Sequence, residues 1–348
     1  VMSMYSLVKS RIKNDDRIKE IVQSNHDGNI LDTGISDEFK GVFFNEIREL
    51  SDGQIVVFVE NNHKMERLQV SLSEHTDDIY TFPVGDIMIE TMATESPEFR
   101  KARMSTLYAL IERKPGLFIV PTEALLKPLM PKDTLKEYQK HIELGDVIEY
   151  ESFIEYLVSI GYKRMKEAQN FGEFAVRGDI FDVFTPNGMV RIELFDDEVD
   201  SLRLIDEETK RSKENVNELT LEPYAEYILN QSDRERLLEI VEKLYENTKP
   251  KLSGQELEAL DEYYETLIQE DNTFQYLVQF SHLLREDEIS ILDYIDSSAR
   301  VFIDEIKNIE MVYETETTAI HNFYDPMREA GKSLAGGGNY LEHQLPRL

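Results

Sequence analysis

Two short runs carry no polar residue: Ile55-Val56-Val57-Phe58-Val59 and Leu117-Phe118-Ile119-Val120. A strand with one wet face alternates apolar and polar residues, so an unbroken apolar strand is covered on both faces. Helices on either side of a parallel sheet meet that condition. The neighbouring pattern agrees. Residues 6–22 read as one helix. Phe39, Val42, Phe43, Phe44, Ile47 and Leu50 form a helical stripe that Ser36 or Asp37 can cap. Asn61 to Leu72 reads as a helix, Asp78 to Phe82 as a strand ended by Pro83, and residues 98–112 as a helix. Residues 37–126 are therefore expected to be α/β with a mostly parallel sheet.

At roughly 150 residues per domain, 348 residues make two or three domains. Lys and Arg number 38 against 69 Asp and Glu, a net charge of −31. That argues against a general nucleic-acid coat, which needs a broad basic surface, and leaves room for a local basic patch. It suits solubility and the steering of a basic partner. Cysteine is absent, which removes disulfides, thiolate nucleophiles and cysteine-based zinc sites. No run reaches the roughly 18 apolar residues of a membrane span, and the first residues lack a signal-peptide pattern. A cytoplasmic protein is expected.

Composition shifts near Lys127-Pro128-Leu129-Met130-Pro131. Residues 147–160 read as a short strand and a helix ending at Gly161. A second helix or turn crosses Lys163 to Gln169. Three extended runs follow: Glu173–Phe184, Met189–Phe195 and Val199–Ile205. Asn187-Gly188 is a hairpin signal between the first two. The whole reads as a small, mainly antiparallel α+β insert. Beyond Thr209 come a short strand at Glu218–Glu222, helices near 232–246 and 253–269, late strands at Ser290–Tyr294 and Arg300–Asp304, and a helix at 308–326. The acidic interval 251–271 reads as a solvated helix face, with a docking surface for a basic partner as the alternative. Residues 336–348 read as a flexible tail, some of it appended sequence.

Signals for chemistry are weak. The phosphate-cradle string Gly-x-x-x-x-Gly-Lys-Ser/Thr does not occur. Gly331-Lys332-Ser333 has its end, but Pro326 stands where the first glycine belongs. Thr33, Gly34, Lys40 and Gly41 lie in a loop-to-helix segment where Val42 follows the second glycine and Asp37 and Glu38 would repel phosphate. Both read as ordinary or degenerate loops. Val301-Phe302-Ile303-Asp304-Glu305 has the form of a magnesium-holding strand end, and without a cradle it reads as structural. The seven histidines form no His-x-x-x-His or His-Glu-x-x-His motif, and no metal site is expected from them. No catalytic residue is assigned.

The informative segment is 161–211. On a regular strand, Arg177, Asp179, Phe181 and Val183 share one side, and Phe174, Val176, Ile180, Asp182 and Phe184 the other. A bulge at Gly178 would disturb this order. An arginine and a phenylalanine four residues apart can form a binding hot spot. A two-residue Asn-Gly hairpin would instead pair Phe181 with Leu194 and Val183 with Ile192, which makes that face core. Both readings stand for Phe181. Arg177 is balanced between a local salt bridge and a partner contact, and Arg164 reads as surface.

The strings Arg177-Gly178-Asp179-Ile180-Phe181-Asp182-Val183-Phe184 and Arg191-Ile192-Glu193-Leu194-Phe195-Asp196-Asp197-Glu198-Val199-Asp200-Ser201-Leu202-Arg203, then Thr209-Lys210-Arg211-Ser212, carry a resemblance. With Phe82-Pro83 and Ser96-Pro97-Glu98-Phe99-Arg100, the chain over about residues 5–320 resembles the UvrB-homology module of the bacterial transcription-repair coupling factor family. The resemblance implies a degenerate helicase-like domain 1a (1–126), an inserted α+β domain 2 (127–208) that recruits UvrA, and a domain 1b (209–335) completing the helicase-like part. It implies partner contacts at Arg164, Arg177 and Phe181, with Lys163 and Phe184 as competing matches. UvrB's phosphate cradle and tyrosine-rich DNA hairpin are not visible. The implied protein is a non-enzymatic recruiter, an N-terminal piece of a translocase. ATP, magnesium, RNA polymerase and DNA would then belong to domains outside this sequence. The same domain 2 surface could also be covered by other domains of the full-length factor. The rival readings are a UvrB-like damage-loading ATPase using Gly34, Lys40 and Asp304-Glu305, and an intramolecular scaffold.

Overall fold

A computed structural model describes residues 4–23, 34–85, 96–126, 129–269, 280, 283–284 and 289–334. The two all-apolar runs become β1 (Gln54–Val59) and β3 (Gly116–Pro121), both buried along their whole length. They pair in parallel, with Val57 opposite Ile119. β2 (Ile79–Thr81) adds to β3 and β12 (Arg300–Ile303) to β1, giving the order β12-β1-β3-β2, parallel throughout. The mostly parallel α/β sheet expected from the apolar runs is present.

The chain divides into two compact units. The first comprises Val1–Val84, Thr106–Leu126 and Tyr294–Glu316 and holds this sheet. Its helices are α1 (Met4–Lys13), α2 (Asp16–Gln23), α3 (Asp37–Leu50) and α4 (Asn62–Ser73). Phe43, Phe44 and Ile47 of α3 and Met65, Leu68 and Leu72 of α4 pack with Ile55, Val57 and Ile119 of the sheet. Each such side chain contributes about 1.5–3 kcal/mol on burial. The side chain of Asn61 caps α4 by accepting from Lys64 N. The single helix expected at 6–22 is two helices. Asp15 interrupts it, its carboxylate accepting from Arg17 N at 2.9 Å, which caps the second helix rather than continuing the first.

The second unit comprises Gly85–Ser105, Lys127–Asp293 and Thr317–Leu348. α5 (Pro97–Ile111) and the last helix, Ile306–Glu329, contribute residues to both units. A six-stranded sheet dominates the second unit, in the order β10-β9-β8-β7-β6-β5. Its strands are β5 (Lys163–Arg164), β6 (Glu173–Arg177), β7 (Ile180–Thr185), β8 (Gly188–Phe195), β9 (Glu198–Ile205) and β10 (Ser212–Val216). Only β5 pairs in parallel, with β6. A two-stranded ribbon joins β4 (Lys140–Glu143) to β11 (Glu218–Leu221). Its helices include α6 (Lys132–Glu137), α7 (Tyr150–Ser159), α8 (Gln231–Thr248) and α9 (Gln255–Ile268). α8 carries a capping box between Asn230 and Asp233.

Several local expectations are corrected. The run Glu173–Phe184 is a hairpin, with Arg177 paired to Ile180 across Gly178-Asp179. Gly178 has φ +58°, so the first central residue of the turn takes a conformation that a Cβ disfavours. The β7–β8 turn is centred on Pro186-Asn187, with Thr185 opposite Gly188, because proline presets the first central φ. Phe181 therefore faces Ile192 and Val183 faces Val190. This register differs from the expected one by two residues, so the faces are unchanged. Ser290–Tyr294 is not a strand; Ile291–Tyr294 is a helical turn, and Ser290 N donates to Asp293 Oδ2 at 2.7 Å. Residues 163–169 form no helix, and the strand expected near 147 is a single bridge from Val147 to Glu198. Lys127, Pro128, Thr33 and the glycine-rich tail lie outside the described residues.

Candidate partner-binding surface

Strand alternation gives the six-stranded sheet two unlike faces. One carries Phe174, Phe181, Val183, Ile192 and Leu202, all essentially inaccessible. Phe181 makes edge contacts with Tyr150 and Phe153 of α7, at centroid distances of 5.3 and 5.0 Å. The partner contact expected of Phe181 is thus corrected: its ring is 0% exposed and is part of the core. Phe184 fares no better, at 4%. It packs edge-on to Phe171 at 4.4 Å beneath Lys210, whose ammonium lies 4.8 Å from the ring centre. The exposed aromatic of this sheet is Phe195, at 73%, beside the acidic turn.

The opposite face is apolar at one end, where Phe184, Met189 and Ile205 pack together, and charged at the other. Asp182 is 4% exposed, and Arg191 Nε and Nη2 donate to its two oxygens at 2.6 and 2.9 Å. Arg177 Nη2 reaches the same carboxylate at 3.5 Å and stays 63% exposed. Arg203, opposite Arg191 on β9, pairs with Glu193 at 2.9 Å. The hydrogen bond to Asp182 raises the Arg191 pKa, with desolvation opposing it. Arg191 and Arg203 therefore stand opposite each other on β8 and β9, Arg177 of β6 lies a diagonal step away, and Asp182 and Glu193 lie among the three.

Register decides which first basic residue belongs to this cluster. Lys163 pairs with Glu173 and Arg164 with Phe174, and both basic side chains are exposed. Glu173 shares the face of Ala175 and Arg177, whereas Phe174 points to the core face. Lys163, the competing match, is on the Arg177 side; Arg164 is on the other. Arg177 and Phe181, expected together, are also on opposite faces, because the turn at Gly178-Asp179 puts them on different strands. Sequence reasoning missed Arg191 and Arg203. The signal was available, since both occupy the non-apolar positions of alternating strands.

The first unit contains the degenerate loop. Gly34 precedes α3 with φ +56°, but Lys40 and Gly41 lie inside the helix. A Cβ on Gly41 would fall 2.0 Å from Ser71 Oγ of α4, so this glycine permits close helix packing rather than a phosphate approach. Lys40 Nζ contacts Asp37 at 2.5 Å, Asp304 at 3.0 Å and Glu305 at 3.3 Å. Lys64 holds the other Asp37 oxygen at 2.9 Å. The hydrogen bonds from Lys40 and then Lys64 bring the Asp37 carboxyl down to about 2. Desolvation lowers Lys40, but Asp37 and Asp304 outweigh it and its pKa is raised. The adjoining cleft of about 170 Å³ is lined by Lys64, Arg67 and Ser71 as well as Asp37 and Asp304. Its lysine is already neutralised by carboxylates from the same chain.

The family profile of the UvrB interaction domain matches residues 141–227, which contain the six-stranded sheet. The transcription-repair-coupling factor of Staphylococcus epidermidis strain RP62A is 34% identical over 342 residues, covering 96% of this chain and 29% of the relative. That of Staphylococcus aureus strain MRSA252 is 33% identical over 337 residues, covering 95% and 29%. That of Staphylococcus haemolyticus is 32% identical over 339 residues, covering 96% and 29%. Residues 141–227 thus resemble a UvrB interaction domain, and the chain carries a parallel α/β sheet besides. Over 96% of its length the chain is similar to the transcription-repair-coupling factors. It spans 29% of the length of the curated relatives it matches.

Proposed function

We propose that this module recruits UvrA in transcription-coupled nucleotide excision repair and does no covalent chemistry of its own. The observation that carries the reading is the cluster of Arg177, Arg191 and Arg203 on one sheet face within the matched interaction domain. Arg177 is the contact residue. It is exposed, it sits 3.5 Å from its internal carboxylate, and it can exchange that weak pairing for a partner's carboxylate at little cost. Arg191 and Asp182 hold the cluster in place. Lys163 extends the basic edge on the same face. In the whole protein, a motor using ATP and magnesium would displace an RNA polymerase stalled on damaged DNA, and this module would then present its sheet to UvrA. The ATPase reading of the module itself is disfavoured by the carboxylates that already occupy Lys40.

Titration of purified UvrA into the chain tests this. Saturable binding is expected, and Arg177→Ala should weaken it by at least about tenfold, ~1.4 kcal/mol. Arg164→Ala, on the opposite face, should leave it within about twofold. Equal affinity for all three proteins, or no binding to active UvrA, would remove the sheet face from the proposal.

A further inference from the structure

The β4–β11 ribbon places His141, Glu143 and Glu218 on one outer face. Register pairs Glu143 with Glu218 and His141 with Thr220, while Ile142 between them is fully buried on the other side. His141 Nε2 lies 3.1 Å from Glu143 Oε1 and 3.3 Å from Glu218 Oε2. Its other ring nitrogen, Nδ1, is 3.3 Å from Thr220 Oγ1. All three side chains are solvent-accessible, between 51% and 66% exposed.

We infer that these three side chains bind a divalent transition-metal ion of the zinc type. One potential donor atom from each lies within 4.8 Å of the others. Zinc bonds of about 2.0–2.1 Å in a tetrahedron place neighbouring ligand atoms roughly 3.3 Å apart. The two separations from Nε2 are of that size. When Nδ1–H donates to Thr220 Oγ1, the Nε2 lone pair points toward the carboxylates, which is the arrangement that orients a metal-bound imidazole. Two carboxylates balance the charge of the ion, and the fourth position opens to water. The mixed nitrogen and oxygen donor set favours zinc-like ions over magnesium or calcium, which take oxygen ligands.

The site has a structural consequence. β4 contains the first residue of the matched interaction domain and β11 lies near its end. Metal bound here would clip the entry strand to the exit strand, adding to folded-state stability in proportion to occupancy. This inference is independent of UvrA binding, because the metal alone is the probe.

Zinc chloride titrated into chelator-treated protein, against a colorimetric zinc chelator, tests the assignment. One saturable site is expected, together with a zinc-dependent rise in melting temperature. His141→Gln and Glu218→Gln should each weaken that site by at least about tenfold and abolish the rise, with folding checked by circular dichroism. His63→Gln, far along the sequence in the other unit, should retain both. Substituted cobalt should give visible d–d absorption that His141→Gln removes. The site is overturned if zinc fails to saturate, if the two variants bind like the parent, or if the variants lose binding because they are unfolded while Glu143→Gln, folded, binds normally. In any of those cases the cluster is a shared hydrogen-bonded pair of carboxylates around an imidazole.

Discussion

Asp182 and Arg177 touch the same ion pair but should respond differently to removal. Asp182 is buried and holds Arg191 through both oxygens, so Asp182→Ala leaves a partly buried guanidinium without its partner. A loss of about 3–5 kcal/mol is expected, read as a lower denaturation midpoint. Arg177 is mostly exposed at a long distance, and Arg177→Ala should cost less than about 1 kcal/mol. The pair of measurements separates holding the surface from presenting it. Sequence alternation alone could not rank these two residues, because burial of Asp182 depends on which strands flank β7.

At the scale of elements, the hairpin from β6 to β7 controls the site. One continuous strand would put Arg177 and Phe181 on one face, four residues apart. The turn at Gly178-Asp179 separates them, sending the ring into the core against α7 and leaving the arginine outside. Gly178→Val should therefore act on both faces together. A β-branched residue at φ +58° costs roughly 1–2 kcal/mol, and the variant should show a lower melting temperature with weakened UvrA binding. Retention of both would mean that the turn adapts. Apolar strands and amphipathic helices were legible beforehand because their periods are local. The extra hairpin was not, because Gly178 reads equally as a bulge or a turn until its neighbours are paired.

For the whole molecule, the net charge of −31 matters more than any one pair. Like charges at close quarters oppose the compact state, and salt screens them. Raising sodium chloride from about 0.05 to about 0.5 M should increase the melting temperature, as the Debye length falls severalfold. The same change should slow association with UvrA if arginine–carboxylate pairs steer it. A melting temperature that falls with salt would place attractive ion pairs, such as those of Lys40 and Asp182, above the general repulsion. The unit boundaries cut the chain at several points, so each unit is assembled from sequence-distant segments.

The sequence by itself determined the kind of elements. Unbroken apolar strands required cover on both faces, helical stripes supplied it, and the motif-bearing segment carried the family resemblance. Only the tertiary structure decided which side chains meet. Lys40 meets Asp304 across 264 residues, which is why the degenerate loop is a closed ion cluster. His141 meets Glu218 through a strand pair that no local spacing announces. Periodicity is written in neighbouring residues, whereas register and face are settled by hydrogen bonding between distant strands, and the functional surface is a product of register.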